Sequence, residues 1–159
     1  MKITHTFEPV YDSRSRILIL GTFPSVKSRE NNFYYGHPQN RFWKVMAAVL
    51  SCPQPVTVLE KKQMLLERGI ALWDVVYSCD IEGSADSSIR NVIPNRLEII
   101  TQAAPVERIY ANGNTAGKLY AKYCGEKLGM DITVLPSTSP ANAAFGTERL
   151  IAEWSAVNA

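Results

Sequence analysis

The stretch Arg16-Ile17-Leu18-Ile19-Leu20-Gly21-Thr22-Phe23-Pro24-Ser25 holds an apolar run that ends at a glycine, a proline and a serine. A run this short, with turn residues behind it, predicts a buried strand that feeds a loop. Working outward, residues 70–76, 108–111 and 132–135 repeat the pattern. Helices fall between the runs. Phe42, Val45, Met46, Val49 and Leu50 lie at helical spacing from Arg41, and Pro53 and Pro55 stop that helix. Residues 58–68 read as a second helix, with Gly69 placed to end it in the left-handed conformation. The polar stretch 79–91, with Gly83 and several serines, reads as loop, and Asn95 can cap a helix carrying Leu97, Ile99 and Ile100. Another helix follows Asn112-Gly113-Asn114 and runs to Cys124 and Gly125, and a closing helix spans about 148–157.

Apolar strands alternating with helices predict an α/β fold, a three-layer α/β/α arrangement around a central four-stranded parallel sheet, with residues 1–159 as one domain. Ligands of such sheets bind beyond the carboxyl ends of the strands. The loops leaving those ends begin at Gly21, Asp74, Asn112 and Pro136.

Composition sets the outer limits. The chain has 159 residues, 46% apolar and 20% charged, which excludes a disordered protein and suffices for one core without disulfides or metals. No apolar stretch of signal-peptide type opens the sequence, and no run approaches the ~20 residues of a membrane span, so a cytosolic, monomeric protein is expected. Cys52, Cys79 and Cys124 fit neither a disulfide framework nor the paired spacing of metal sites. No cofactor and no metal is implied.

Two segments can carry chemistry. The first joins Gly21-Thr22-Phe23-Pro24-Ser25 to Tyr34-Tyr35-Gly36-His37-Pro38-Gln39-Asn40-Arg41-Phe42-Trp43. Aromatics beside amides suit a flat heteroaromatic ligand that is stacked on its face and hydrogen-bonded at its edge. By the bland alternative, Phe42 and Trp43 are core, Asn40 caps a helix, and His37-Pro38 is a turn. The second segment, Leu135-Pro136-Ser137-Thr138-Ser139-Pro140-Ala141-Asn142-Ala143, can bring backbone N–H groups and hydroxyls to phosphates or push a small wedge into a base stack. An ordinary strand-to-helix connection has the same composition.

Together the two segments resemble the uracil-DNA glycosylase superfamily, most of all its deoxyinosine (hypoxanthine) branch and next the mismatch-specific uracil glycosylases. The family's Gly-x-x-Pro and His-Pro-x-Asn-x-Phe-Trp strings stand here as Gly21 to Pro24 and His37 to Trp43, and its Pro-Ser loop as residues 136–142. Two departures stand out. Phe23 occupies the place where many members carry a water-positioning Asp or Asn, and Leu135 the place of a histidine that stabilises the leaving base. The resemblance implies that Asn40 takes over catalysis and that Phe42 stacks on the extruded base, and it sets Asp74 where relatives have an asparagine reading the base edge. Gly21, Thr22, Phe23, Tyr35 and Asn112 complete the expected base pocket. Ser25, Arg41, Ser137, Thr138, Ser139, Pro140, Ala141 and Asn142 are the expected DNA contacts, with the wedge among the last three.

The implied reaction is hydrolysis of the N-glycosidic bond of a deaminated base flipped out of damaged DNA, without metal or cofactor. Phe42, with Tyr35 or Phe23, supplies the stack. Asp74 can accept N1–H of hypoxanthine, which adenine lacks. The Asn40 amide is not basic, but its oxygen can orient a water while its NH₂ binds substrate, and His37 can donate to the leaving base or to a phosphate. Nothing in the sequence argues that Lys27 or Lys44 forms a Schiff base, so a monofunctional enzyme leaving an abasic site is expected. The rivals are a uracil-preferring enzyme of the same fold and a non-catalytic nucleic-acid-binding module; a serine hydrolase, with only His5 and His37 as possible bases, fits poorly. The net charge of +2 hides an excess of +4 in residues 1–50, where Arg14, Arg16, Lys27, Arg29, Arg41 and Lys44 are expected to form a small phosphate footprint around the pocket.

Overall fold

A computed structural model describes residues 2–5 and 7–158. In chain order the elements are β1 (Lys2–Thr4), β2 (Ile17–Gly21), α1 (Val26–Asn31), α2 (Phe42–Val49), α3 (Val58–Leu66), β3 (Ile70–Asp74), β4 (Val76–Asp80) and β5 (Arg90–Pro94). Then come α4 (Glu98–Ala103), β6 (Arg108–Asn112), α5 (Asn114–Tyr123), α6 (Gly125–Leu128), β7 (Ile132–Leu135) and α7 (Thr147–Trp154).

The four expected strands form one parallel sheet in the order β3-β2-β6-β7, with helices flanking it. All five residues of β2 are buried, as a central strand covered on both faces requires. Strand β7 lies at an edge and leaves Val134 exposed. Helix α2 turns Phe42, Val45, Met46 and Val49 into the core against α7, whose Trp154 donates its indole N–H to Pro136 O at 2.9 Å. That bond ties the last helix to the loop after β7.

A second sheet, β1-β4-β5, is antiparallel and differs from the expected layout. The expected strand over 70–76 is two strands: β3 ends at Asp74, and β4 turns into the other sheet. The corner is fixed by Val75 N donating to Gly21 O and Val76 N to Thr22 O, at 2.9 and 3.0 Å. Asn95 closes it from outside. Its side-chain NH₂ donates to Asp74 O and Val76 O, so it does not cap α4, which begins behind Leu97 without a side-chain cap. The expected loop 79–91 carries the end of β4, a short 3-10 turn over Asp86–Ser88 and the start of β5. Helix α1 stands within the expected loop after β2; Ser25 caps it, accepting from Ser28 N.

The closing residues of all four parallel strands, Gly21, Asp74, Asn112 and Leu135, line one cavity of about 930 Å³. Arg14 and Arg16, expected around the pocket, precede β2 and sit at the opposite end of the sheet, beside Gly69 and Arg68. No described helix is long and apolar enough to cross a membrane.

Candidate active site

The cavity floor is built on a close approach. A Cβ at Gly21 would lie 2.3 Å from Asp74 Oδ1 and 2.9 Å from Tyr35 Oη, so the missing side chain is what lets the carboxylate and the phenol converge there. Asp74 is buried, and its other oxygen meets His5 Nε2 at 2.9 Å. His5 is buried too, in contact with the rings of Phe7, Phe23 and Tyr34. Pairing of β1 with β4 brings it there, and His5 N extends the ladder by donating to Tyr77 O. Sequence reasoning assigned His5 no place in the site, because nothing local marks a histidine whose partner stands 69 residues away.

Tyr35 is the aromatic wall. Its backbone is left-handed, with φ of 54°, an uncommon conformation for an aromatic residue and one that persists where the surrounding structure over-determines it. One face of its ring stacks on Phe42 with centroids 4.2 Å apart. Phe42 has no exposed surface and does not line the cavity, which corrects its expected role. It backs Tyr35, and Tyr35 with Phe23 presents aromatic surface to a ligand. The Tyr35 hydroxyl is buried without a hydrogen-bond partner. Burial, and then the charge of Asp74, push it well above the ordinary phenol range; the Asn112 amide pulls the other way from outside hydrogen-bond geometry. It therefore stays an O–H donor.

Asn40, Asn112 and Thr138 form a wired cluster. Asn40 Oδ1 accepts from Phe42 N and from Thr138 Oγ1, both at 2.9 Å. A backbone N–H can only donate, so the atom facing it is the amide oxygen. That oxygen is saturated and cannot also orient a water, a correction to the expected role. The Asn40 NH₂ is the part of the amide left to the cavity, which Asn40 lines. His37 forms the turn before it: His37 O accepts from Asn40 N, and His37 Nδ1 accepts from Gln39 N, which places the neutral ring's proton on Nε2.

Several expected DNA contacts are ties within the protein. Thr138 is fully buried, and its N, O and Oγ1 all have internal partners, so it reaches no phosphate. The Arg41 guanidinium donates to the carbonyls of Phe145, Ser139 and Asn142, holding the loop after β7 instead of a phosphate. Ser25 Oγ is engaged with Ser28. Within the loop, Ser137 Oγ accepts from Ser139 N, Ser139 Oγ from Ala141 N, and Asn142 Nδ2 donates back to Ser137 O. Asn142 is thus turned inward, and Pro140 and Ala141 stand exposed at the tip.

Among the described residues no lysine or arginine lines the cavity, whereas Asp74 and Asp86 do. Asp86 is open to solvent at its surface, yet cavity walls surround it; that desolvation and the charge of Asp74 push it up to about 6. Of the expected cations, Lys27 pairs with Glu30, and Arg29 donates to Gly83 O. Among the described residues no three His, Cys, Asp or Glu side chains are grouped to hold a metal.

A model of the uracil DNA glycosylase superfamily matches residues 8–157. The chain belongs to this superfamily. It is 36% identical over 157 residues to a hypoxanthine DNA glycosylase of Methanosarcina acetivorans, covering 98% of each chain. A second hypoxanthine DNA glycosylase, from Methanosarcina barkeri, is 32% identical over 86% of each chain. A Methanosarcina acetivorans structure solved by solution NMR superposes with a TM-score of 0.83 at 34% identity, covering 99% of this chain and 96% of that one. The superfamily match takes in both segments and every parallel strand, and begins after His5.

Proposed function

We infer that the protein is a monofunctional DNA glycosylase that hydrolyses the N-glycosidic bond of hypoxanthine in DNA. Beyond the likeness to the two hypoxanthine DNA glycosylases, one observation carries the reading: an amide whose oxygen is held internally, leaving its NH₂, lines the same cavity as a buried carboxylate. A base enters by leaving its stack, at a cost smallest for mismatched bases. It lies against Tyr35. Asp74 Oδ1 accepts N1–H, and adenine, unprotonated at N1, would leave that carboxylate unpaired.

The bond from C1′ to N9 breaks with its electron pair passing to the base, and the sugar becomes oxocarbenium-like. Asn40 Nδ2 donates to an acceptor on the departing base, where negative charge builds. Water then bonds to C1′ and gives up one proton, and the base takes up one. Among the described residues no lysine lines the cavity, which supports a product that is an intact abasic strand. The reading carries with it a cytosolic monomer as its setting.

The test uses labelled duplexes holding single deoxyinosine, uracil, xanthine or only undamaged bases, treated with protein and then with alkali. Alkali-dependent breaks at deoxyinosine are expected. No break at any damaged base overturns the enzyme reading, and breaks without alkali overturn the monofunctional one. Asn40→Ala should slow excision on the order of 100-fold, the usual cost of removing a fixed donor, with duplex affinity kept.

A further inference from the structure

We propose that Thr138 is a positioning residue for the reaction: its hydroxyl sets the Asn40 amide with oxygen inward and NH₂ toward the base. This rests on the catalytic reading of Asn40. The wiring leaves one arrangement of protons. Thr138 N donates to Asn112 Oδ1 at 3.0 Å, which identifies that atom as the oxygen and makes the other Asn112 terminus NH₂. Asn112 Nδ2 in turn donates to Thr138 Oγ1 at 3.0 Å. The single hydroxyl proton of Thr138 then points at the remaining neighbour, Asn40 Oδ1, at 2.9 Å.

The orientation derived along this chain agrees with the one Phe42 N imposes on Asn40 independently. Two backbone N–H groups, on α2 and on the loop after β7, therefore polarise three side chains in one direction, and each bond strengthens the next. A flipped Asn40 amide would turn its NH₂ onto the Phe42 N–H and the Thr138 hydroxyl, losing two acceptor contacts inside a desolvated cluster. Thr138 also accepts Arg41 N at its own carbonyl, so a backbone bond joins the two segments of the site beside the hydroxyl. Threonine is suited to the place because its hydroxyl accepts and donates at once. Serine keeps this ability, and valine, of the same shape, has neither.

The test is single-turnover excision from a deoxyinosine duplex, with duplex affinity and thermal midpoint measured in parallel. Thr138→Val should slow the chemical step roughly tenfold or more, since small misplacement of a catalytic group is costly, and leave affinity for the duplex unchanged. Thr138→Ser should restore most of the rate. In the Asn40→Ala background, Thr138→Val should add nothing further, because Thr138 acts through Asn40. Thr138→Ala repeats the comparison with serine if the valine variant does not fold.

A serine variant as slow as the valine or alanine variant overturns the proposal, because methyl packing and not the hydroxyl would then matter. Additive losses in the double variant overturn it as well. A failure of the catalytic reading shows separately, as an Asn40→Ala protein that excises at the parent rate.

Discussion

The two ends of the parallel sheet are chemically opposite. At the carboxyl ends of the strands the cavity is lined by amides, hydroxyls, aromatic faces and two carboxylates, with no lysine or arginine. At the amino ends a second cavity of about 420 Å³ is lined by Arg14, Arg16, Arg68 and Arg108. The +4 of the first fifty residues is thus divided between ends: Arg16 and Gly21 bracket β2, whose rise of roughly 3.3 Å per residue separates them by roughly 17 Å. Charge counted along a chain does not give charge around a site, because a strand sends its two flanks to opposite faces of the molecule. A neutral base can enter the upper cavity; the phosphates that accompany it find no cation inside.

The largest expected effect at the upper end is that of Gly21→Ala. The new methyl meets Asp74 Oδ1 and Tyr35 Oη, so we expect excision to be lost and stability to fall by about 2–3 kcal/mol in urea unfolding. A variant with parent activity would mean the carboxylate and phenol need not converge.

Arg41→Ala comes next, with a loss of about 2 kcal/mol from charge-assisted bonds to three carbonyls. Duplex affinity should fall while the slope of affinity against salt stays unchanged; a slope reduced by about one would show Arg41 on a phosphate after all.

Asp86→Asn should have a smaller effect that depends on pH. The carboxyl titrates at about 6 when folded, against an ordinary 3.8, so between those values the folded chain holds more protons than the unfolded one. Stability then falls as pH rises through that window, and the full penalty applies above about 6. With solvent screening at this open position, the asparagine variant should be more stable than the parent by roughly a few tenths of a kcal/mol at pH 8, and equal to it at pH 3, in thermal melts.

The smallest change is expected at the other end. Arg16→Ala should leave excision within about twofold of the parent at physiological salt, since the distance exceeds the Debye length. A large loss there would join the two ends and break the contrast.

The sequence disclosed the parallel sheet because four apolar runs behind turn residues leave few other folds. It did not disclose the second sheet. Strand β5 is largely exposed, includes Pro94 and a left-handed Asn91, and pairs with β4 through shifted registers, so it shows no clean alternation. That Asn40 and Asp74 line the cavity was legible because they stand in a recognisable string and at a strand end. Which way Phe42 faces was not, since a place at the start of a helix two residues after Asn40 says nothing about the side it turns. Thr138 and Arg41 read as DNA contacts because the Asn40 partner of Thr138 and the three carbonyls that Arg41 binds stand 98 or more residues away, and only the folded chain reveals that their polar groups are already engaged.

His5, just past the first strand, ties the opening of the described chain to Asp74, which lines the candidate cavity. A protein trimmed past residue 5 keeps every strand of the parallel sheet, yet leaves the Asp74 carboxylate buried without its imidazole. A purification tag that strains the β1 ladder acts on the same carboxylate. For this fold, the choice of where to start an expressed protein therefore reaches the floor of the cavity.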